Sequence, residues 1–100
     1  MKHKLVRYKV KPEALAEHRR LIKGVFGALL DQSPEDVGYM VIETGCGGFV
    51  HLKTDFGDET FELGELPAFQ AFGKGIIERC IEPPQSSEAT IIGRYTAKAA

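Results

Sequence analysis

Cysteine is scarce here: Cys46 and Cys80 are the two in 100 residues. That is too few for a disulfide framework, and their spacing matches no metal-ligand pattern. Reduced thiols in a cytoplasmic setting are the reading that follows. Charge of one sign is also lacking, with 13 basic against 14 acidic residues and a net charge of −1. A protein that neutralises phosphate backbones carries a basic excess, so no nucleic-acid partner is expected. No apolar run approaches the roughly 20 residues needed to cross a bilayer. Residues 1–7 have no apolar signal core, so no membrane association is expected either. What remains is ordinary for a globular chain, 43% hydrophobic and 27% charged, with the length of one domain spanning residues 1–100.

Residues 3–10 are rich in β-formers and partly alternate, which predicts a strand. Pro12 and Glu13 suit a first helical turn. Leu15, His18, Ile22, Val25, Phe26 and Leu29 then fall on one helical stripe, predicting a helix over about 12–31 that ends before Pro34. Residues 37–44 and 49–54 read as two strands, joined through Gly45-Cys46-Gly47-Gly48 as a hairpin. An acidic loop follows from Asp55 to Glu62. Leu66-Pro67 opens a second helix, with Phe69, Phe72, Ile76, Ile77 and Cys80 at helical spacing. Gly73 and Gly75 mark a close backbone approach or a break, and Pro83-Pro84 stops the helix. Residues 89–95 supply the last expected strand, ahead of a small-residue tail. The order β-α-β-β-α-β, with right-handed crossovers, predicts an α+β ferredoxin-like fold: a four-stranded antiparallel sheet with both helices on one face.

Two helices cover only one face. If Val6, Tyr8, Val10, Met40, Ile42, Val50, Leu52, Ile91 and Tyr95 face them, the other side still carries Leu5, Tyr39, Val41, Phe49 and Ile92. Single chains rarely expose an apolar patch of that size, so a second copy is expected to cover it. Arg7, Glu43, His51, Lys53, Thr90 and Arg94 share that side, and apolar walls with a few polar groups suit a ligand pocket. A three-residue hairpin loop is taken to set Glu43 opposite His51; a four-residue loop would bring Met40 and Ile42 beside His51 instead.

Val6 to Pro12, Gly38-Tyr39, Phe49 to Leu52, Leu66 to Phe72 and Glu78 to Pro84 resemble the antibiotic biosynthesis monooxygenase-like domains of the dimeric α/β-barrel superfamily. The resemblance covers nearly the whole chain but includes no invariant catalytic signature. It implies a homodimer whose sheets close into a barrel, with a pocket in each subunit between sheet and helices. It also implies oxidation of phenol- or quinol-type molecules with no metal and no cofactor. Family members that form quinones or degrade haem use pocket Asn and Trp side chains, and this chain has neither. The expected second helix also lacks the histidine that haem degraders use, which argues against haem degradation.

Within that frame, His51 is the candidate for proton transfer, histidine being able to exchange a proton near neutral pH. Its structural alternative is an ion pair with Glu43. Arg7 and Arg94, on strands expected to be neighbours, could hold a phenolate or carboxylate, or pair with Glu43 or the partner subunit. Tyr39 and Phe49 would form an aromatic wall, Tyr39 adding a hydroxyl. His18 lies in the apolar stripe of the first helix, at the pocket mouth or in the core. Asp55, Asp58, Glu59, Glu62 and Glu65 fit no calcium-loop spacing and read as solvated. The glycine-rich hairpin lacks the following helix of a phosphate cradle. A cofactor-free monooxygenase acting on a small aromatic molecule is the leading reading. The alternatives are a non-catalytic dimeric module that binds a small hydrophobic ligand, with a regulatory or stress role, and a dimerisation unit with a filled barrel.

Overall fold

The computed structural model describes residues 1–57 and 61–97. Strand β1 (Lys2–Val10) leads through a single 3-10 turn at Pro12–Ala14 into helix α1 (Leu15–Gln32). The helix ends where Ser33 adopts a left-handed conformation, its N–H bonding to the Leu29 carbonyl, just before Pro34. Strands β2 (Val37–Glu43) and β3 (Gly48–Asp55) form the expected hairpin around the turn Gly45–Gly47. After a 3-10 turn at Leu63–Glu65 come two short helices, α2 (Pro67–Gly73) and α3 (Ile76–Arg79), then strand β4 (Cys80–Ala89). The sheet has the order β2-β3-β1-β4 with every pairing antiparallel, as in ferredoxin-like folds.

The hairpin turn explains one glycine. Gly47 has φ +80°, and a Cβ there would lie 2.7 Å from the Val10 carbonyl oxygen. Only glycine lets the turn tuck under the end of β1.

Several expectations need correction. The last strand is Cys80–Ala89 and not 89–95; residues 90–97 form neither helix nor strand, and Ile92 and Tyr95 are almost fully exposed. Pro83 and Pro84 do not end a helix but lie within β4, which tolerates them because it is an edge strand. They fall in the gap between the paired residues Gln85 and Glu82, where the register shifts, so their missing N–H groups break no ladder bond. The second helix takes the break that Gly73 and Gly75 allowed, at Lys74-Gly75, where Gly75 turns with φ +78°, and it ends at Arg79. Cys80 therefore starts β4 and is not on a helix.

The hairpin register also differs from the expected one. Glu43 lies opposite Phe49, and Val41 opposite His51. The three-residue loop keeps odd-numbered residues of β2 and β3 on one face, but the pairing sits two residues from the expected one.

The faces of the sheet are exchanged as well. Val6 pairs with His51 and Tyr8 with Phe49, so the Tyr39, Val41, Phe49 and His51 face is the helix side. The core accordingly joins Tyr8, Val10 and Phe49 of the sheet to Val25, Leu63, Leu66 and Phe72. The uncovered face carries Leu5, Arg7, Met40, Ile42, Val50 and Leu52. Met40 and Ile42 are half exposed there, so an apolar outer face exists, built from other side chains than those expected.

Candidate functional site

A cavity of about 340 Å³ opens between the helix face of the sheet and the segments that follow β3. Its apolar wall comes from Leu63, Phe69, Phe72 and Ile76; its polar groups are Tyr8, Tyr39 and His51, with Lys4 and Lys53 also lining it. The volume lies within the range of small-molecule pockets, roughly 300–1,000 Å³. Lys53 Nζ also lies 3.4 Å from Asp55 Oδ1.

Beneath the cavity runs a chain of buried polar contacts. The Tyr39 hydroxyl meets Nδ1 of His51. Nε2 of His51 lies 2.6 Å from the Tyr8 hydroxyl, which is also 2.6 Å from Nε2 of His18. Nε of Arg79 donates to Nδ1 of His18 at 3.1 Å. Alternation explains the first part: Tyr8 and His51 are inward residues on adjacent strands, and Tyr39 is inward on β2. His18 enters from the buried stripe of α1. Aromatic rings pack the chain, with Phe49 stacked on Tyr8 at 5.6 Å and His18 edge-on to Phe49 at 4.7 Å. Phe72 touches both histidine rings.

Burial sets the ionisation here. It pushes His51 down to about 4, with the neighbouring His18 ring adding to the effect. It does the same to His18, also to about 4, reinforced by the Arg79 cation and opposed by Glu43. Both imidazoles are therefore neutral at pH 7. Burial also holds the phenols of Tyr8 and Tyr39 far above their ordinary range, so both stay protonated.

The residues singled out from sequence are dispersed. His51 and Tyr39 meet at the cavity. His18 is fully buried beneath it and is not at its mouth. Phe49 packs the layer under Tyr8 and does not line the cavity. Glu43 pairs with Arg19, at 2.8 and 2.6 Å, instead of with His51. Arg7 is exposed on the opposite face of the sheet, beside Val50 and Gln85. Arg94 lies beyond β4, exposed, and is not a strand neighbour of Arg7. Asp58 and Glu59 lie outside the described residues. Sequence reasoning missed Tyr8, Phe72 and Arg79 as members of the site. Tyr8 could have been found by pairing it with His18, since the first helix returns over the strand it leaves.

Among the described residues no cluster of His, Cys, Asp and Glu could hold a metal ion. Among them, too, no helix is long and apolar enough to cross a membrane.

No protein-family model matches the chain, and no curated protein matches it. Solved structures do. A candidate antibiotic biosynthesis monooxygenase from Bacteroides thetaiotaomicron superposes with TM-score 0.77 at 15% identity, covering 98% of this chain and 95% of that one. Rv0793 from Mycobacterium tuberculosis gives 0.73 at 13% identity, covering 95% and 98%. A structure named as an antibiotic biosynthesis monooxygenase gives 0.74 at 14%, covering 93% and 100%. The chain thus has the fold of antibiotic biosynthesis monooxygenase-like proteins, along nearly its whole length and that of those structures.

Proposed function

We propose that this protein oxidises a small phenol or quinol with dioxygen, using no metal or bound cofactor, in the cavity between sheet and helices. The observation that carries the reading is the polar Tyr39–His51 pair at an otherwise mainly apolar cavity of about 340 Å³. The aromatic ring of the substrate sits against Phe69, Phe72 and Ile76, and its oxygen meets the Tyr39 hydroxyl. Removing the substrate's hydroxyl proton raises the electron density of the ring for attack on dioxygen. One oxygen atom stays on the ring as a new carbonyl. The other leaves as water, taking the ring hydrogen and the hydroxyl proton. His51 holds the Tyr39 hydroxyl, which donates to the oxyanion left on the substrate. Substrate-dependent oxygen uptake with 1-naphthol or 1,5-dihydroxynaphthalene tests the reading. Uptake by the wild type that falls at least about tenfold in His51→Ala and Tyr39→Phe, within the range of general acid–base contributions, supports it. Uptake unchanged in both variants contradicts it.

A second reading, a non-catalytic module for small hydrophobic ligands, has its own support. Both ring nitrogens of His51 are engaged inside the protein, so neither is free to meet a substrate proton directly. Ligand-induced stabilisation with no oxygen uptake would favour it.

Both readings include a homodimer. Leu5, Met40, Ile42, Val50 and Leu52 make the uncovered sheet face apolar, and covering such a surface contributes several kcal/mol at about 25 cal/mol per Å². A cytoplasmic location, one domain over residues 1–100 and a membrane-independent life complete the proposal.

A further inference from the structure

Arg79 does not line the cavity, yet it controls the polar contacts beneath it. Its guanidinium is held by two backbone carbonyls: Nη1 donates to Lys74 at 2.9 Å, and Nη2 donates to Phe72. Its Cζ lies 5.7 Å from the centre of the Phe72 ring. That leaves Nε–H aimed at His18. A guanidinium has only donors and never titrates in this range.

The consequence propagates without alternatives. His18 must accept at Nδ1, so in the neutral ring its proton is on Nε2. It then donates to the Tyr8 oxygen. The Tyr8 hydroxyl must turn its own proton to Nε2 of His51. His51, accepting there, carries its proton on Nδ1 and donates it to the Tyr39 oxygen. The Tyr39 proton has no other partner among the described residues, and Tyr39 lines the cavity. Lys4 and Lys53, which also line it, are donors only. The chain thus ends on a donor at Tyr39, and donors from Tyr39, Lys4 and Lys53 dominate the polar side chains that line the cavity.

We infer that Arg79 is a positioning residue that fixes the direction of the Arg79–His18–Tyr8–His51–Tyr39 chain, so that the cavity selects ligands whose polar atom is an acceptor. A ketone, carboxylate or phenolate oxygen fits; an N–H or O–H group with no free lone pair to offer does not. The inference rests on the proposed cavity as the ligand site and specifies which ligands it takes. A phenolic substrate then binds with its oxygen accepting from Tyr39, more strongly once it is the oxyanion.

Two measurements test it on the whole protein. Nitrogen-15 chemical shifts of the imidazoles at pH 7 report tautomers with no variant and no ligand. The expected result is His18 protonated at Nε2 and His51 at Nδ1; either ring in the opposite tautomer overturns the inference. In Arg79→Met the tautomer preference at His18 is expected to be lost, with His51 following; retention of both overturns the role of Arg79. Ligand class is read by titrating 1-indanone, which only accepts, against indole, whose N–H only donates. Indanone is expected to bind about tenfold or more tightly, because an indole leaves the Tyr39 donor unpaired. Equal or reversed affinities overturn the ligand-class claim. Neither ligand binding, with the tautomers as expected, overturns that claim together with the cavity reading and leaves the Arg79 relay standing.

Discussion

The hydroxyl of Tyr8 lies 2.6 Å from Nε2 of His51, and the same oxygen reaches His18 at the same distance. One phenol on β1 thus ties the sheet to α1 through two neutral histidines. Both rings are buried, so each bond replaces one that water would otherwise make. Removing the phenol oxygen leaves a donor on His18 and an acceptor on His51 without partners. Tyr8→Phe is expected to destabilise the fold by about 2 kcal/mol or more, since each unsatisfied buried group costs about 1–3 kcal/mol. Urea unfolding measures it. A loss below about 0.5 kcal/mol would show that the bridge contributes only packing.

Acid should loosen the same bridge. In the unfolded chain both histidines take up protons near their ordinary value of 6.5; in the fold they resist until about 4. Between those values the unfolded state binds more protons, so stability falls as pH drops from 6.5 towards 4 and levels off below that. The expected loss is on the order of a few kcal/mol for the pair. Unfolding midpoints at pH 7, 5.5 and 4.5 measure it, and a flat profile would contradict the neutral, buried assignment.

The hairpin turn offers a sharp contrast between two glycines. Gly47→Ala puts a Cβ 2.7 Å from the Val10 carbonyl oxygen at φ +80°, whereas a Cβ at Gly45 meets nothing within 4 Å. Gly47→Ala is expected to cost about 1–3 kcal/mol through strain at positive φ, and Gly45→Ala to be near neutral. Equal thermal unfolding of the two variants would count against the turn geometry.

Arg7 separates the two faces of the sheet. Arg7→Ala is expected to leave ligand affinity in the cavity unchanged, because Arg7 faces away from it. If the uncovered face is a dimer surface, sedimentation at micromolar concentration gives about twice the 11.0 kDa of one chain. A single-chain mass throughout would remove the dimer.

How much of this was legible in the sequence depended on how far apart the interacting residues lie. The stripe Leu15, His18, Ile22, Val25 and Leu29 and the glycine hairpin are local signals, and they led to α1, β2, β3 and the overall order of elements. The edge strand was lost because Pro83-Pro84 reads as a stop, while Ile91, Ile92 and Tyr95 imitate a strand that does not form. The face assignment failed for a longer-range reason. Both sides of β3 carry large apolar residues, Phe49 against Val50 and Leu52, and nothing local fixes how a strand pairs with one some forty residues earlier. Tyr39 and His51 were placed on one face because they share a hairpin, although the expected register set Glu43 beside His51. Arg79 was out of reach, because its role depends on carbonyls of a helix end and on a histidine 61 positions away.

Amide chemical-shift mapping with 1-indanone tests the central claim most directly. The account predicts that the largest changes fall at Tyr39, His51, Phe69, Phe72 and Ile76, on the helix side of the sheet. Changes clustered instead at Arg7, Val50 and Gln85 would place the ligand on the other face and contradict it.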